Sequence, residues 1–142
     1  DDILDLDVLQ EWLAEVRLLL EPSGRVEHAL RHLGAVLTFA PQGDEQIKPP
    51  APVRDLFERL ADTTLERGYY IQTLNSRGTT SRGLEDGGSQ EADLAARYRA
   101  DADAVADRWP RTSSILRSIA SSYERDAERN DRNAERFRRG LD

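Results

Sequence analysis

The sequence contains no cysteine, which excludes disulfide bonds, thiolate metal sites, iron-sulfur clusters and cysteine nucleophiles. It contains no methionine either, and lysine occurs once, at Lys48, among 20 basic residues. The resulting preference for arginine is typical of a GC-rich bacterial genome, so we expect a bacterial protein. Because no initiating methionine precedes Asp1, we also expect the chain to be part of a larger protein.

Long apolar runs are missing as well. No segment approaches the roughly 20 apolar residues that span a bilayer, and the acidic start DDILDLD lacks the basic region of a signal peptide. These absences predict a cytoplasmic protein. The net charge of -7 argues against general nucleic-acid binding, because phosphate contacts need a positive field. The charge is uneven: residues 1–21 carry seven acids against one arginine, whereas residues 108–139 carry nine arginines against five acids.

Apolar residues recur at the spacing of amphipathic helices along most of the 142-residue chain, whose length suits one domain. We therefore predict an all-α fold, a single-domain helical bundle of about five helices with a long C-terminal helix in a helical hairpin. Proline and glycine divide the chain into an N-terminal helix pair (1–40), a Pro-rich linker (41–52), a middle helix (53–74), a Gly/Arg loop (75–89) and a C-terminal helical hairpin (90–142).

The apolar spacing also predicts which side of each helix is buried. In the first helix, the stripe expected to face the core contains Leu9, Trp12, Leu13, Val16, Leu19 and Leu20. In the middle segment Gly68 is the expected helix end, because glycine is frequent just after the last helical turn. Residues 69–74, YYIQTL, fit either a helical turn or a short extended piece, and we predict helix.

The last helix is the longest that the sequence predicts. Residues 111–139 would extend about 43 Å, compared with about 28 Å for the helix at residues 90–108. Trp109 and Pro110 mark a sharp corner between the two. If the helices fold back on each other at this corner, about ten residues at the end of the last helix project beyond their neighbour.

Positions along this last helix alternate by four and three, as in a heptad seam. They are Leu116, Ala120, Tyr123, Ala127, Asn130, Ala134, Phe137 and Leu141. The opposite side carries a stripe of arginines with acids four residues away, which is typical of a solvated, ion-paired face. We expect the seam to dock on a protein partner or to self-associate, with the predicted interface residues Tyr123, Asn130, Phe137 and Leu141.

The loop NSRGTTSRGLEDGG, residues 75–88, is a candidate anion site. Its glycines allow several backbone amides to point at one place, and its arginines supply forked donors for phosphate or carboxylate. The predicted ligand-binding residues are Arg77, Thr79, Thr80 and Arg82. The loop lacks the G-x-x-x-x-G-K-[ST] pattern of a P-loop, and the alternative is an ordered connector whose arginines pair with nearby acids. A sensor of an anion or nucleotide is therefore a second functional hypothesis.

His28 and His32 lie four residues apart, the spacing of two metal ligands on one helical face. No third ligand is identifiable, and HALRH lacks the glutamate of the metalloprotease H-E-x-x-H motif. We therefore predict surface histidines, with no metal and no cofactor.

Arg25, six further residues and His32 together resemble the short arginine–histidine signature of HEPN-type ribonucleases, which are small helical dimers. That family usually has a polar residue after the arginine, whereas Val26 stands here. The resemblance implies RNA cleavage, with Arg25 and His32 facing their dimer mates across a groove and His32 acting in general acid-base catalysis. A HEPN-like ribonuclease is the third hypothesis.

The loop and the corner WPRTSSILRSIASSYERDA together resemble uncharacterised bacterial helical domains over about residues 75 to 130. This resemblance implies a helical fold and no particular activity. The function that we predict is a non-catalytic interaction or regulatory module of a larger bacterial protein. Its expected partner is another protein, a second copy of the chain or another domain of the same polypeptide, and neither a membrane nor nucleic acid.

Overall fold

The computed structural model describes residues 5–20, 25–76 and 88–140. These residues contain helices and no strand, so the predicted all-α fold is confirmed. The helices are α1 (Leu6–Leu20), α2 (Val26–Leu37), α3 (Ala51–Leu60), α4 (Thr63–Ser76), α5 (Ser89–Val105) and α6 (Pro110–Arg138). The contacts within the chain form two compact units, Asp1–Ser76 and Arg77–Asp142, and the prediction of one domain stays a prediction.

The predicted middle helix is divided into α3 and α4, so the described chain has six helices rather than about five. The break lies at Ala61, whose backbone is left-handed with φ of 46°. Asp62 then caps α4, because its Oδ1 accepts hydrogen bonds from the amides of Thr64 at 2.9 Å and Leu65 at 3.0 Å. A helix cap in the middle of the segment is the physical reason for the extra helix.

The prediction that Gly68 ends a helix is wrong, because α4 continues to Ser76. The predicted helix at residues 69–74 is confirmed as part of α4. Gly68 lies where α4 packs on α2, and a Cβ atom there would be 2.0 Å from the carbonyl oxygen of Arg31. A Cβ on Gly34 of α2 would likewise be 2.0 Å from the carbonyl oxygen of Leu65. The two glycines therefore let the backbones of α2 and α4 touch.

The first unit buries a continuous set of apolar side chains from α2, α3 and α4. They are Leu30, Leu37, Val53, Leu56, Phe57, Leu65 and Tyr69. The rings of Phe57 and Tyr69 meet edge to face, with their centroids 5.3 Å apart. Helix α1 joins this core through the buried Leu13 and through an ion pair of 2.9 Å between Arg17 and Asp62.

The Pro-rich segment before α3 is held by the buried side chain of Arg54. Its Nη1 donates to the carbonyl oxygens of Pro49 at 2.6 Å and Ile47 at 3.2 Å, and its Nη2 pairs with Glu45 at 3.0 Å. The Glu45 carboxylate in turn accepts the Ala51 amide, the first of α3, at 2.9 and 3.0 Å. One arginine thus connects the linker to the helix that follows it.

The predicted corner between the last two helices is confirmed. Pro110 is the first residue of α6, a position where proline is favourable because its missing amide proton has no helical acceptor. The Trp109 amide donates to the carbonyl oxygen of Val105 at 2.8 Å. Just past the corner, the buried Ser113 hydroxyl donates to the Ala102 carbonyl oxygen at 2.9 Å. These bonds hold α5 and α6 side by side at this end.

Farther from the corner, α5 and α6 are joined by an ion pair and by stacked rings. Arg99 forms a forked pair with Glu124, in which Nη2 lies 2.9 Å from Oε2. The rings of Tyr98 and Tyr123 stack with their centroids 5.8 Å apart. Ala102 of α5 meets Ser113 of α6, whereas Arg99, which lies earlier in α5, meets Glu124, which lies later in α6. The two helices are therefore antiparallel.

Candidate interaction surface on the last helix

The start of α5 shows how far the two helices run together. The Gly88 amide, just before α5, donates to Oδ1 of Asp131 at 2.7 Å. A Cβ on Gly88 would lie 2.2 Å from the carbonyl oxygen of Ala127, so this contact also requires glycine. Beyond Asp131, α6 continues to Arg138, a further rise of about 10 Å. The end of α6 therefore extends past the first residue of α5.

The structure describes three of the four predicted interface residues, and their surroundings differ. Tyr123 is 4 % exposed and stacks on Tyr98, so the packing of α5 on α6 already uses its ring. Asn130 is half-buried, Phe137 is 47 % exposed, and Leu141 lies outside the described residues. Phe137 is therefore the large apolar side chain of this set that the described structure leaves accessible.

The sequence around Phe137 is rich in arginine. Residues 125–139 contain six arginines and four acids. Two ion pairs run along the helix, Arg129–Asp126 at 2.7 Å and Arg139–Glu135 at 2.6 Å. By contrast, Arg132 and Arg136 form no ion pair with any described residue. The end of α6 thus combines an exposed aromatic side chain with two arginines that form no ion pair in the part of the chain that the structure describes.

A second exposed apolar surface, which the apolar spacing of the sequence did not predict, lies on α1. Val8, Trp12, Leu18 and Leu19 are 61, 49, 74 and 78 % exposed. The prediction that Trp12 and Leu19 face the core is wrong, whereas Leu13 of the same stripe is buried as predicted. Apolar residues cover a wide sector of α1, and the neighbouring helix covers only part of it. The width of this apolar sector is the feature of the sequence that indicates an exposed apolar face on α1.

The two histidines of α2 line an open groove of about 230 Å³ between α2 and α4. Its lining residues are His28, Arg31, His32, Ala35, Gly68, Ile71 and Gln72. Arg25 immediately precedes α2, seven positions before His32, so the two residues lie on the same side of the helix. Across the residues that the structure describes, no group of three or more side chains could hold a metal ion.

The candidate anion-binding residues of the loop lie outside the described residues: Arg77, Thr79, Thr80 and Arg82. The anion-sensor hypothesis stays a prediction. In the described ranges, no helix combines the length and the apolar character that crossing a bilayer requires. Comparison with family models, with curated proteins and with solved structures finds no match for this chain. Its function therefore has to be argued from its own residues.

Proposed function

We propose that this chain is a non-catalytic interaction module that self-associates through the end of α6, within a bacterial cytoplasmic protein. The observation that carries the proposal is Phe137, which is 47 % exposed on a helix end that extends past its neighbour. Aromatic residues and arginine are enriched in protein interfaces, where the aromatic ring is buried and the charged groups form the rim. The end of α6 has both kinds of side chain side by side.

The charge of the chain supports a second copy as the partner. The basic end of α6 needs an acidic surface opposite it, because like charges across an interface are repulsive. Residues 5–20, which include α1, carry four acids against one arginine. The basic α6 end of one copy can therefore face the acidic α1 segment of another copy. Two α6 ends that face each other would bring together surfaces of the same charge.

Light scattering after size-exclusion chromatography, over a range of protein concentrations, tests this proposal. The wild type should show a concentration-dependent increase in mass, and Phe137→Asp should remain a monomer because it replaces the exposed aromatic ring with a charge. The matched control is Phe39→Asp, at another phenylalanine that is 72 % exposed, and it should associate like the wild type. An association that Phe137→Asp leaves unchanged would contradict the proposal.

A HEPN-like ribonuclease is the second candidate, favoured by the position of Arg25 and His32 on one side of α2. His32 and His28 also line the open groove, where a phosphodiester has access to both imidazoles. An RNA cleavage assay with the wild type and His32→Ala tests this function. Cleavage that the variant retains in full would exclude His32 as the general acid or base.

A further inference from the structure

The exposed face of α1 has a regular pattern. Its positions Val8, Trp12, Glu15 and Leu19 are spaced by four, three and four, so they form one stripe along the helix. We call this stripe, together with Glu11 beside it, the α1 surface. Glu11 and Glu15 are exposed and form no ion pair with any described residue. The α1 surface is therefore apolar and acidic.

The end of α6 repeats the same spacing, and the residues that flank its stripe carry the opposite charge. Its positions Asp126, Asn130, Asn133 and Phe137 are again spaced by four, three and four. Each of them follows an arginine directly in the sequence, at positions 125, 129, 132 and 136. We call these eight residues the α6 surface. Its stripe is bordered along one side by a row of positive charge.

We propose that the α6 surface of one copy binds the α1 surface of a second copy, with the two helices antiparallel. This inference rests on the proposed function and names the surface that the α6 end meets. Matching spacing lets the two stripes lie in register, as in paired helices. In α1 the acid Glu11 also directly precedes a stripe position, Trp12. In both helices the flanking charge lies directly before a stripe position. When two such helices run antiparallel, these charges lie on the same side of the contact, so Glu11 approaches Arg132 and Arg136.

A two-fold axis would use this contact twice, with α1 of each copy on α6 of the other. If the geometry does not close, the same contact joins copies into an open chain, because the two surfaces differ. The closed dimer and the open chain each require the α1 surface and the α6 surface, and the association of either weakens as added salt screens the charges. The decisive measurement is therefore which pairs of charge variants associate.

Charge exchange between the surfaces tests the inference. One variant reverses the α1 surface with Glu11→Arg and Glu15→Arg, and the other reverses the α6 surface with Arg132→Glu and Arg136→Glu. By sedimentation velocity, each variant alone should show a dissociation constant raised about tenfold or more, since like charges now face each other. A mixture of the two variants should regain the wild-type association, because every contact then joins opposite charges.

A matched control reverses two exposed arginines on other helices, Arg67→Glu and Arg97→Glu, and should associate like the wild type. Circular dichroism of each variant tests whether it is folded like the wild type. If reversal of the α6 surface abolishes association and reversal of the α1 surface does not, this inference is overturned and the proposed function stands. If neither α6 reversal nor Phe137→Asp affects association, the proposed function fails as well. A wild type that stays monomeric up to its solubility limit overturns both.

Discussion

Substitution of Gly34 by alanine tests how closely α2 and α4 pack. The added Cβ would lie 2.0 Å from the carbonyl oxygen of Leu65 and 2.8 Å from the amide nitrogen of Tyr69. A carbon atom in ordinary contact with a carbonyl oxygen keeps a distance of about 3.3 Å or more. Because both neighbouring atoms belong to the backbone of α4, no side-chain rotation can relieve the clash. The two helices must therefore separate by about 1 Å at this point.

Two opposing effects determine the change in the free energy of unfolding. Alanine in place of glycine inside a helix is favourable by about 1 kcal/mol. The separation is unfavourable, since a gap of about 0.5 to 1 Å loses roughly a quarter to a half of the dispersion energy of each facing contact. The buried side chains of Leu65 and Tyr69 lie beside this crossing. Overpacking typically costs about 1 to 3 kcal/mol and more where backbone must move, so we expect a net loss of about 2 kcal/mol.

Urea unfolding followed by far-ultraviolet circular dichroism measures this loss. Ala96→Gly, at an exposed position of α5, is the control for helix propensity alone and should cost about 1 kcal/mol. Gly68→Ala should behave like Gly34→Ala, because its Cβ would lie 2.0 Å from the Arg31 carbonyl oxygen. In the double variant one separation accommodates both methyl groups, so the combined loss should be smaller than the sum. A Gly34→Ala protein as stable as the wild type would refute the close crossing.

Substitutions at four further positions are predicted from the structure, each measured by the same unfolding experiment. Ala61→Gly should raise the free energy of unfolding by about 1 kcal/mol, because glycine adopts the left-handed backbone at this position without strain, and an unchanged midpoint would contradict this. Arg54→Ala should lower the free energy of unfolding by about 3 kcal/mol, since the acceptors of the Arg54 guanidinium lose their donor. Arg54→Lys should recover only part of this free energy, because lysine lacks the forked donors of a guanidinium. The hydrogen bond from Arg99 lowers the pKa of Glu124. The stability that this pair contributes is therefore present above the unfolded-state pKa of Glu124 and is lost as the pH falls through its folded-state pKa. Glu124→Gln should remove this pH dependence. Burial raises the pKa of Asp101, so its effect has the opposite sign: Asp101→Asn should stabilise the protein near neutral pH and have no effect where the carboxyl is already protonated.

Local sequence patterns were sufficient to predict most of the helices. The corner at Pro110 and the long α6 follow from proline geometry and from apolar spacing within a few turns. The break at Ala61 was not predicted, because the sequence offers no glycine there and the left-handed residue is an alanine. The prediction that Gly68 ends a helix is wrong because a glycine at a helix crossing and a glycine at a helix end cannot be distinguished in one sequence.

The exposure of the predicted interface residues could be predicted only in part from the sequence. Phe137 is an accessible side chain, but Tyr123 of the same seam is buried against Tyr98, a partner 25 residues earlier in the sequence. The sequence predicts that the exposed face of α1 lies in the core, because apolar spacing shows that Trp12 and Leu19 share a stripe. It does not show how wide a stripe the neighbouring helix covers.

The sequence by itself determined the helical class, the length of the last helix and the separation of acidic from basic charge, because each depends on composition or on residues within a few turns of one another. Tertiary structure alone decided which glycines lie at helix crossings and where α5 begins on α6, through Gly88 and Asp131. It also decided which apolar side chains stay in contact with solvent. Burial depends on partners that are distant in sequence, and the position of those partners is set only when the helices pack.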